Sequence, residues 1–341
     1  MQCVPDALAV LKQHGANNGC SKSPWAERVA GVLHRESPIT LVNVGANKGY
    51  KVPEFLALWS KPAHRVEGYN RGWQRHLLAY AKQIHSGHLK SFSCGNCGDC
   101  NAEAPPAHNR SAAVRIHLLE IAPANQMLLR HVIQATSLDD VVSLHPFGGS
   151  NVRARVPIIK SVLPGDERQG VLVGKKAARF NSANASVLVD VVALDDFFAA
   201  HGLTKIYHVS IDTEGFDSLV IEGMRGAISR RQVSIIEFEV NTLGFWSRGR
   251  LNQAFAVFDA ARYSCFWVLP SGLLPASGAC LTPQAERGRL KWSNVVCAHE
   301  PEVVTELSAL AHESYVARAT GGRGAKHGGK RGGRGGGRVA L

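Results

Sequence analysis

The chain has 341 residues, 45% of them hydrophobic, which is enough for one large α/β domain with additions or for two smaller ones. It has no apolar run of about eighteen residues, so no membrane span is expected, and residues 1–10 lack the basic start and sustained apolar core of a signal peptide. The net charge of +12 is unevenly placed, because seven basic residues and no acid fall within 316–341 and leave the remainder only mildly basic.

Residues 1–38 read as an N-terminal helical segment of two short pieces, the second over 26–33. Residues 39–44 are an apolar run that stops at Gly45 and Gly49, a buried strand entering a tight turn. Glycines there let backbone approach a ligand closely and leave N–H groups free at a helix start. The third glycine of a dinucleotide fingerprint is missing. A helix follows over 50–59, with Pro53 in its first turn and Phe55, Leu56 and Trp59 on its apolar side.

Residues 61–113 have the look of an insertion. A helix over 71–84 carries Trp73, Leu77, Ala81 and Ile84 on one face, and Cys94, Cys97 and Cys100 follow in a glycine-rich loop. Thiolates at C-x-x-C-x-x-C spacing suit a structural zinc, with Cys20, His88 or His108 as fourth ligand. The chain's eight cysteines equally suit disulfides in a lumenal or secretory protein, Cys280 with Cys297 among them. The spacing leaves both open, and either would staple the insertion as a lid or substrate-recognition element.

Alternation resumes with a strand over 114–119 ending at Glu120, a helix over 123–133 and a strand over 141–145. Residues 146–186 read as irregular. An extra strand over 187–192 and a helix over 194–201, closed by Gly202, come next. A strand over 206–211 ends at Asp212, a helix covers 214–228 and a strand 233–240. A helix over 251–262 precedes two late strands, 263–268 and 293–297, paired antiparallel. A last helix covers 301–315, and 316–341 is a Gly/Arg-rich tail expected to be disordered. Its packing tryptophans are expected to be Trp73, Trp246, Trp267 and Trp292.

This order predicts an open, mainly parallel twisted sheet with helices on both faces, and ligands in such sheets sit beyond the carboxyl ends of the strands. Residues 43–49, Glu120, His145, Asp212 and Glu239 all fall there. Glu120 can accept both hydroxyls of a ribose, in competition with a capping role before Pro123. His145 and Phe147 are placed to face an adenine.

Five motifs, in order, carry a family resemblance over roughly residues 39–298. They are Val42-Asn-Val-Gly45-Ala-Asn47-Lys-Gly49, Leu118-Leu-Glu120-Ile-Ala-Pro123-Ala-Asn125, Val191-Val-Ala-Leu194-Asp195-Asp196-Phe197, Val209-Ser-Ile-Asp212-Thr-Glu214-Gly215-Phe-Asp217 and Ile235-Ile-Glu237-Phe-Glu239-Val240. Together they resemble the FkbM family of methyltransferases. The resemblance implies a Rossmann-like class I methyltransferase fold over 39–300, S-adenosyl-L-methionine as methyl donor, and a hydroxyl of a sugar, glycan or small metabolite as acceptor. It places Asn43, Gly45, Ala46, Asn47 and Gly49 along the cofactor and Glu120 on its ribose. Asp212, then Glu214, are the candidates for the base that an alcohol nucleophile needs; Glu214 and Asp217 also suit the first turn of a helix. Two positions depart from the family pattern. Asn43 stands where an acid is usual, losing charge attraction for the cofactor's amino group, and Ser210 stands where Lys is usual.

Three further readings stay open at this level. An RNA-associated methyltransferase would use the Arg/Gly tail for weak polyanion contact, although the mildly basic remainder argues against it. A non-catalytic binding protein on a degenerate methyltransferase fold is motivated by Asn43 and Ser210. A nicotinamide-dependent oxidoreductase is disfavoured by the missing glycine.

Overall fold

Every residue of β1 (Ile39–Val44) is buried, because the strand lies inside an eight-stranded sheet with helices against both of its faces. The computed structural model describes residues 24–32, 38–84, 94, 97–105, 113–159, 164–165, 186–246, 250–270, 272–280 and 292–321. The other strands are β2 (Val114–Leu119), β3 (Val142–His145), β4 (Gly148–Ser150), β5 (Ala154–Ile159), β6 (Ser186–Ala193), β7 (Ile206–Ile211), β8 (Val233–Asn241), β9 (Ser264–Leu269), β10 (Gly272–Pro275) and β11 (Trp292–Ala298). The helices are α1 (Trp25–Val32), α2 (Lys51–Trp59), α3 (Tyr69–Gln83), α4 (Pro123–Ala135), α5 (Leu194–Ala200), α6 (Asp217–Gly223), α7 (Arg225–Ser229), α8 (Leu251–Ala260) and α9 (Pro301–Gly321).

The main sheet has the order β10-β9-β11-β8-β7-β1-β2-β3. The run from β8 to β3 is parallel, and β11, β9 and β10 add an antiparallel flank. The chain leaves β1 toward β2 and β3, then returns to β7 on the other side, so the topological switch lies between β1 and β7. Ligands collect outside such a switch.

Alternation along β1 decides its two faces. Ile39 and Leu41 pack in one core with α1, α2, α3, α4 and α9; Val42 and Val44 pack in a second core with α5, α6, α7 and α8. The sheet is therefore Rossmann-like, with the late antiparallel strands where the sequence pattern puts them.

Several elements differ from the sequence expectation. Residues 148–159 and 186–193 contribute a second sheet, β4-β6-β5, partly inside the stretch read as irregular. β4 is Gly-Gly-Ser and offers no apolar alternation to read. The short strand β10, with Pro275 at its end on the sheet edge, was also not expected. The helix expected over 214–228 begins only at Asp217, since Glu214 and Gly215 have φ of +54° and +95°, and it breaks at Met224. The break lies where Gly223 meets β4: a Cβ at Gly223 would stand 1.9 Å from the Ser150 carbonyl oxygen. α9 runs past residue 315 to Gly321, and residues 322–341 of the tail lie outside the described residues. The first N-terminal helical piece, Cys20, His88 and His108 lie outside them too.

The cysteines resolve in favour of disulfides. Cys94 bonds Cys100, Cys265 bonds Cys297, Cys97 and Cys280 are also disulfide-bonded, and no described cysteine is free. The expected Cys280–Cys297 pair does not form, because Cys265 and Cys297 are direct partners in the β9–β11 ladder, 4.0 Å apart at Cα. The zinc expectation is not supported: sulfur in a disulfide is no thiolate donor, and no group of candidate ligands occurs among the described residues. No helix among the described residues is long and apolar enough to cross a membrane.

Candidate functional site at the strand ends

The turn after β1 is built by close backbone contact. Gly45 has φ of +85°, and a Cβ there would stand 1.8 Å from the Asp212 carbonyl oxygen. The ends of β1, β2 and β7 are locked together at this point, with Gly45 N–H donating to Leu119 and Asp212 N–H donating to Val44, each over 2.9 Å. Gly49 has φ of +76°, and a Cβ on it would meet Leu129 at 2.7 Å and Trp73 at 2.9 Å. Both glycines thus answer first to protein neighbours rather than to a ligand.

Asn47, at φ +47°, donates its N–H to Glu120 over 2.6 Å. The other Glu120 oxygen accepts the Ala122 N–H over 2.8 Å. Burial raises the Glu120 carboxyl above its usual range, and these N–H groups oppose the rise. The Asn125 side chain and the Ile121 N–H add to this hold on the carboxylate.

These residues open onto a cavity of about 1230 Å³ beyond the strand ends. Asn43, Gly45, Ala46, Asn47, Gly49, Glu120, Asp212 and Glu214 all line it. Glu239 does as well, together with parts of α1, α2 and the disulfide-closed loop. That loop is pinned to α3 by the Asn70 amide donating to the Asp99 carbonyl over 2.7 Å. Trp292, expected to be packing, lines the cavity from β11.

His145 is not among the cavity's lining residues. Strand parity explains this. His145 is in register with Leu119, whose side chain packs in the second core, whereas Glu120 is one residue further and turns to the cavity. The His145 ring instead joins His117, Phe197 and His201, with a ring nitrogen 3.0 Å from one of His117.

The cavity floor is acidic. Burial raises the Asp212 carboxyl well above its usual range, and the charges of Glu239, Asp217 and Glu214 add to the rise. Asp212 nevertheless opens to solvent through the cavity. Asp217 is fully buried, accepting the Thr213 hydroxyl over 2.9 Å and the Glu239 N–H over 3.2 Å. Burial, then Glu239, pushes it up to about 8. It ties the turn after β7 to β8 and does not line the cavity.

A polar row crosses the three central strands. Asn43, Ser210 and Glu237 are register partners on β1, β7 and β8. The Asn43 amide donates to the Ser210 carbonyl over 3.5 Å, and the Ser210 hydroxyl to Glu237 over 3.4 Å. Lys51, the first residue of α2, bonds Glu237 over 2.8 Å and Glu54 over 3.2 Å. Burial disfavours the Glu237 charge, but Lys51 and His208 together outweigh it and hold the carboxyl below its usual range. Lys51 and Glu237 both line the cavity and were not singled out from sequence as site residues. The available signal was an acid at the centre of an apolar strand.

The methyltransferase FkbM domain family model matches residues 43–262. The chain belongs to this family. It is an FkbM methyltransferase domain with a Rossmann-like sheet, and the motifs at Gly45, Glu120, Asp212 and Glu239 converge on one cavity. Among solved structures, methyltransferase FkbM from Methylobacillus flagellatus KT is similar at 11% identity and TM-score 0.40, covering 78% of this chain and 45% of that one. The chain thus spans less than half the length of that relative. A human methyltransferase 10 domain containing protein is similar at 7% identity and TM-score 0.34, covering 87% and 84%. A precorrin-6y C5,15-methyltransferase from Geobacter metallireducens GS-15 is similar at 10% identity and TM-score 0.31, covering 84% and 93%. No curated protein matches the chain.

Proposed function

We propose that this chain is an S-adenosyl-L-methionine-dependent O-methyltransferase whose acceptor is a hydroxyl of a sugar, glycan or small metabolite. The observation that carries the reading is the single cavity that joins the Gly45–Asn47 turn and Glu120 to Asp212. The residues present fit such a cofactor. Glu120 is fixed by the Asn47 and Ala122 N–H groups and lines the cavity where a ribose would sit, and the Asn47 side-chain oxygen is buried without a partner. The cavity has room for an acceptor beside a nucleoside. The bound cofactor supplies a methyl group on an electrophilic sulfonium.

The chain's own part is alignment and proton removal. Asp212 opens to the cavity and binds a proton more readily than an ordinary carboxylate, which suits a base for an alcohol. Glu214, on the same turn, is the second candidate. Nine acidic residues line the cavity, and Lys48 and Lys51 are its only basic ones among the described residues. A polyanion would be repelled, so this charge favours a sugar or metabolite acceptor over RNA. Any loose polyanion contact of the Arg/Gly tail would be separate from the chemistry. The paired cysteines favour an oxidising compartment.

The test is transfer of a tritiated methyl group to a panel of sugars and small alcohols. The reading expects label in a base-stable ether, and a loss of about 100-fold or more in Asp212→Asn with S-adenosylhomocysteine affinity preserved. Label on nitrogen or carbon would refute O-methylation, and full turnover in Asp212→Asn would remove that residue from the mechanism.

A further inference from the structure

We propose that the Lys51–Glu237 ion pair anchors the zwitterionic amino-acid end of the methyl donor. The inference rests on the cofactor reading above and assigns a subsite within it.

Position comes first. Lys51 opens α2 two residues after Gly49, and Glu237 is the β8 member of the row that begins at Asn43. Both line the cavity. Their side chains remain 28% and 12% exposed, so the pair has a free side.

Complementarity comes second. An α-amino acid carries an ammonium and a carboxylate a few ångströms apart. A cation and an anion 2.8 Å apart can face it in antiparallel order, carboxylate to Lys51 and ammonium to Glu237. Four charges then alternate, and the zwitterion adds no net charge to the cluster. Neither protein partner is stranded when the ligand leaves, since each still holds the other. Glu54 holds the lysine from one side, while Ser210 and, at 3.6 Å, His208 flank the carboxylate.

The third strand of the argument is compensation. By the family resemblance, an acid and a lysine are usual where this chain has Asn43 and Ser210. Those two residues are register partners, and both are neutral. The next residue in the row, Glu237, restores a carboxylate, and Lys51 restores the cation from the adjoining helix. On this proposal the row still presents a carboxylate and a cation to the cavity although Asn43 and Ser210 are neutral.

The full-length chain should be titrated with S-adenosylhomocysteine and with 5′-methylthioadenosine, which shares the nucleoside and thioether but lacks the amino-acid end. Lys51→Met and Glu237→Gln should each weaken S-adenosylhomocysteine about tenfold or more while leaving 5′-methylthioadenosine within about twofold. Lys51→Arg should retain most of the affinity. Unchanged S-adenosylhomocysteine binding in both variants would overturn the anchor. Equal losses for the two ligands would also overturn it, reducing the pair to a tie between α2 and β8. A folded wild-type chain that binds neither ligand would overturn the cofactor reading, and the anchor with it.

Discussion

Replacing Gly45 with alanine tests whether the turn after β1 is set by protein contacts. The residue has φ of +85°, where an L side chain costs about 1–2 kcal/mol. The new Cβ would lie 1.8 Å from the Asp212 carbonyl oxygen, against roughly 3.4 Å for ordinary contact. The obstacle is backbone and cannot rotate away, so the ends of β1 and β7 must separate. That motion strains the Gly45-to-Leu119 and Asp212-to-Val44 hydrogen bonds, each worth about 1 kcal/mol. The expected loss is about 3–4 kcal/mol, or about 6–16 °C in Tm at roughly 2–4 °C per kcal/mol. Urea and thermal unfolding followed by circular dichroism would measure it. A Gly45→Ala variant as stable as the wild type would refute the close approach of β1 and β7. Because stability falls first, reduced cofactor affinity in this variant is no proof of direct ligand contact.

Three further outcomes are expected. Asp217 is raised from 3.8 to about 8, so its folded form holds a proton and stability declines as pH rises across that interval; Asp217→Asn should gain on the wild type between about pH 4 and 8, and a constant difference would contradict this. His117 and His145 are lowered from 6.5 to about 4, mainly by burial, so their contribution is complete above pH 6.5 and is lost as pH falls through about 4; imidazole NMR titrations with midpoints near 6.5 would contradict this. The Cys265–Cys297 bond closes a separation of 32 residues, and its removal by Cys265→Ala with Cys297→Ala should cost about 3–4 kcal/mol by chain entropy, read as a lowered urea midpoint, whereas an unchanged midpoint would contradict it.

The sheet was legible where residues carry their burial in the sequence. β1, β2 and β7 are largely apolar runs that lead into Gly45, Glu120 and Asp212, β8 carries Glu239 near its end, and their order puts Glu120, Asp212 and Glu239 at one edge. β4 was not legible, since Gly148 and Gly149 are there to fit against Ile121, Val44 and Val220 and leave no alternation. Position at the end of β3 points His145 to the cavity, but a single residue of parity sends it to the opposite face. Lys51 and Glu237 stand 186 residues apart, and only the packing of α2 onto the sheet joins them. The cysteine spacing was compatible with zinc or disulfides, and the Cys265–Cys297 pairing became visible only through strand register.

The most direct test of the central claim is calorimetric titration of the folded full-length chain and its Glu120→Ala variant with S-adenosylhomocysteine. The account predicts micromolar binding to the wild type and a loss of about tenfold or more in the variant, since Glu120 both orders the Asn47 turn and faces the cavity. No binding to the wild type, or equal binding to both, would contradict a cofactor site at the ends of β1 and β2.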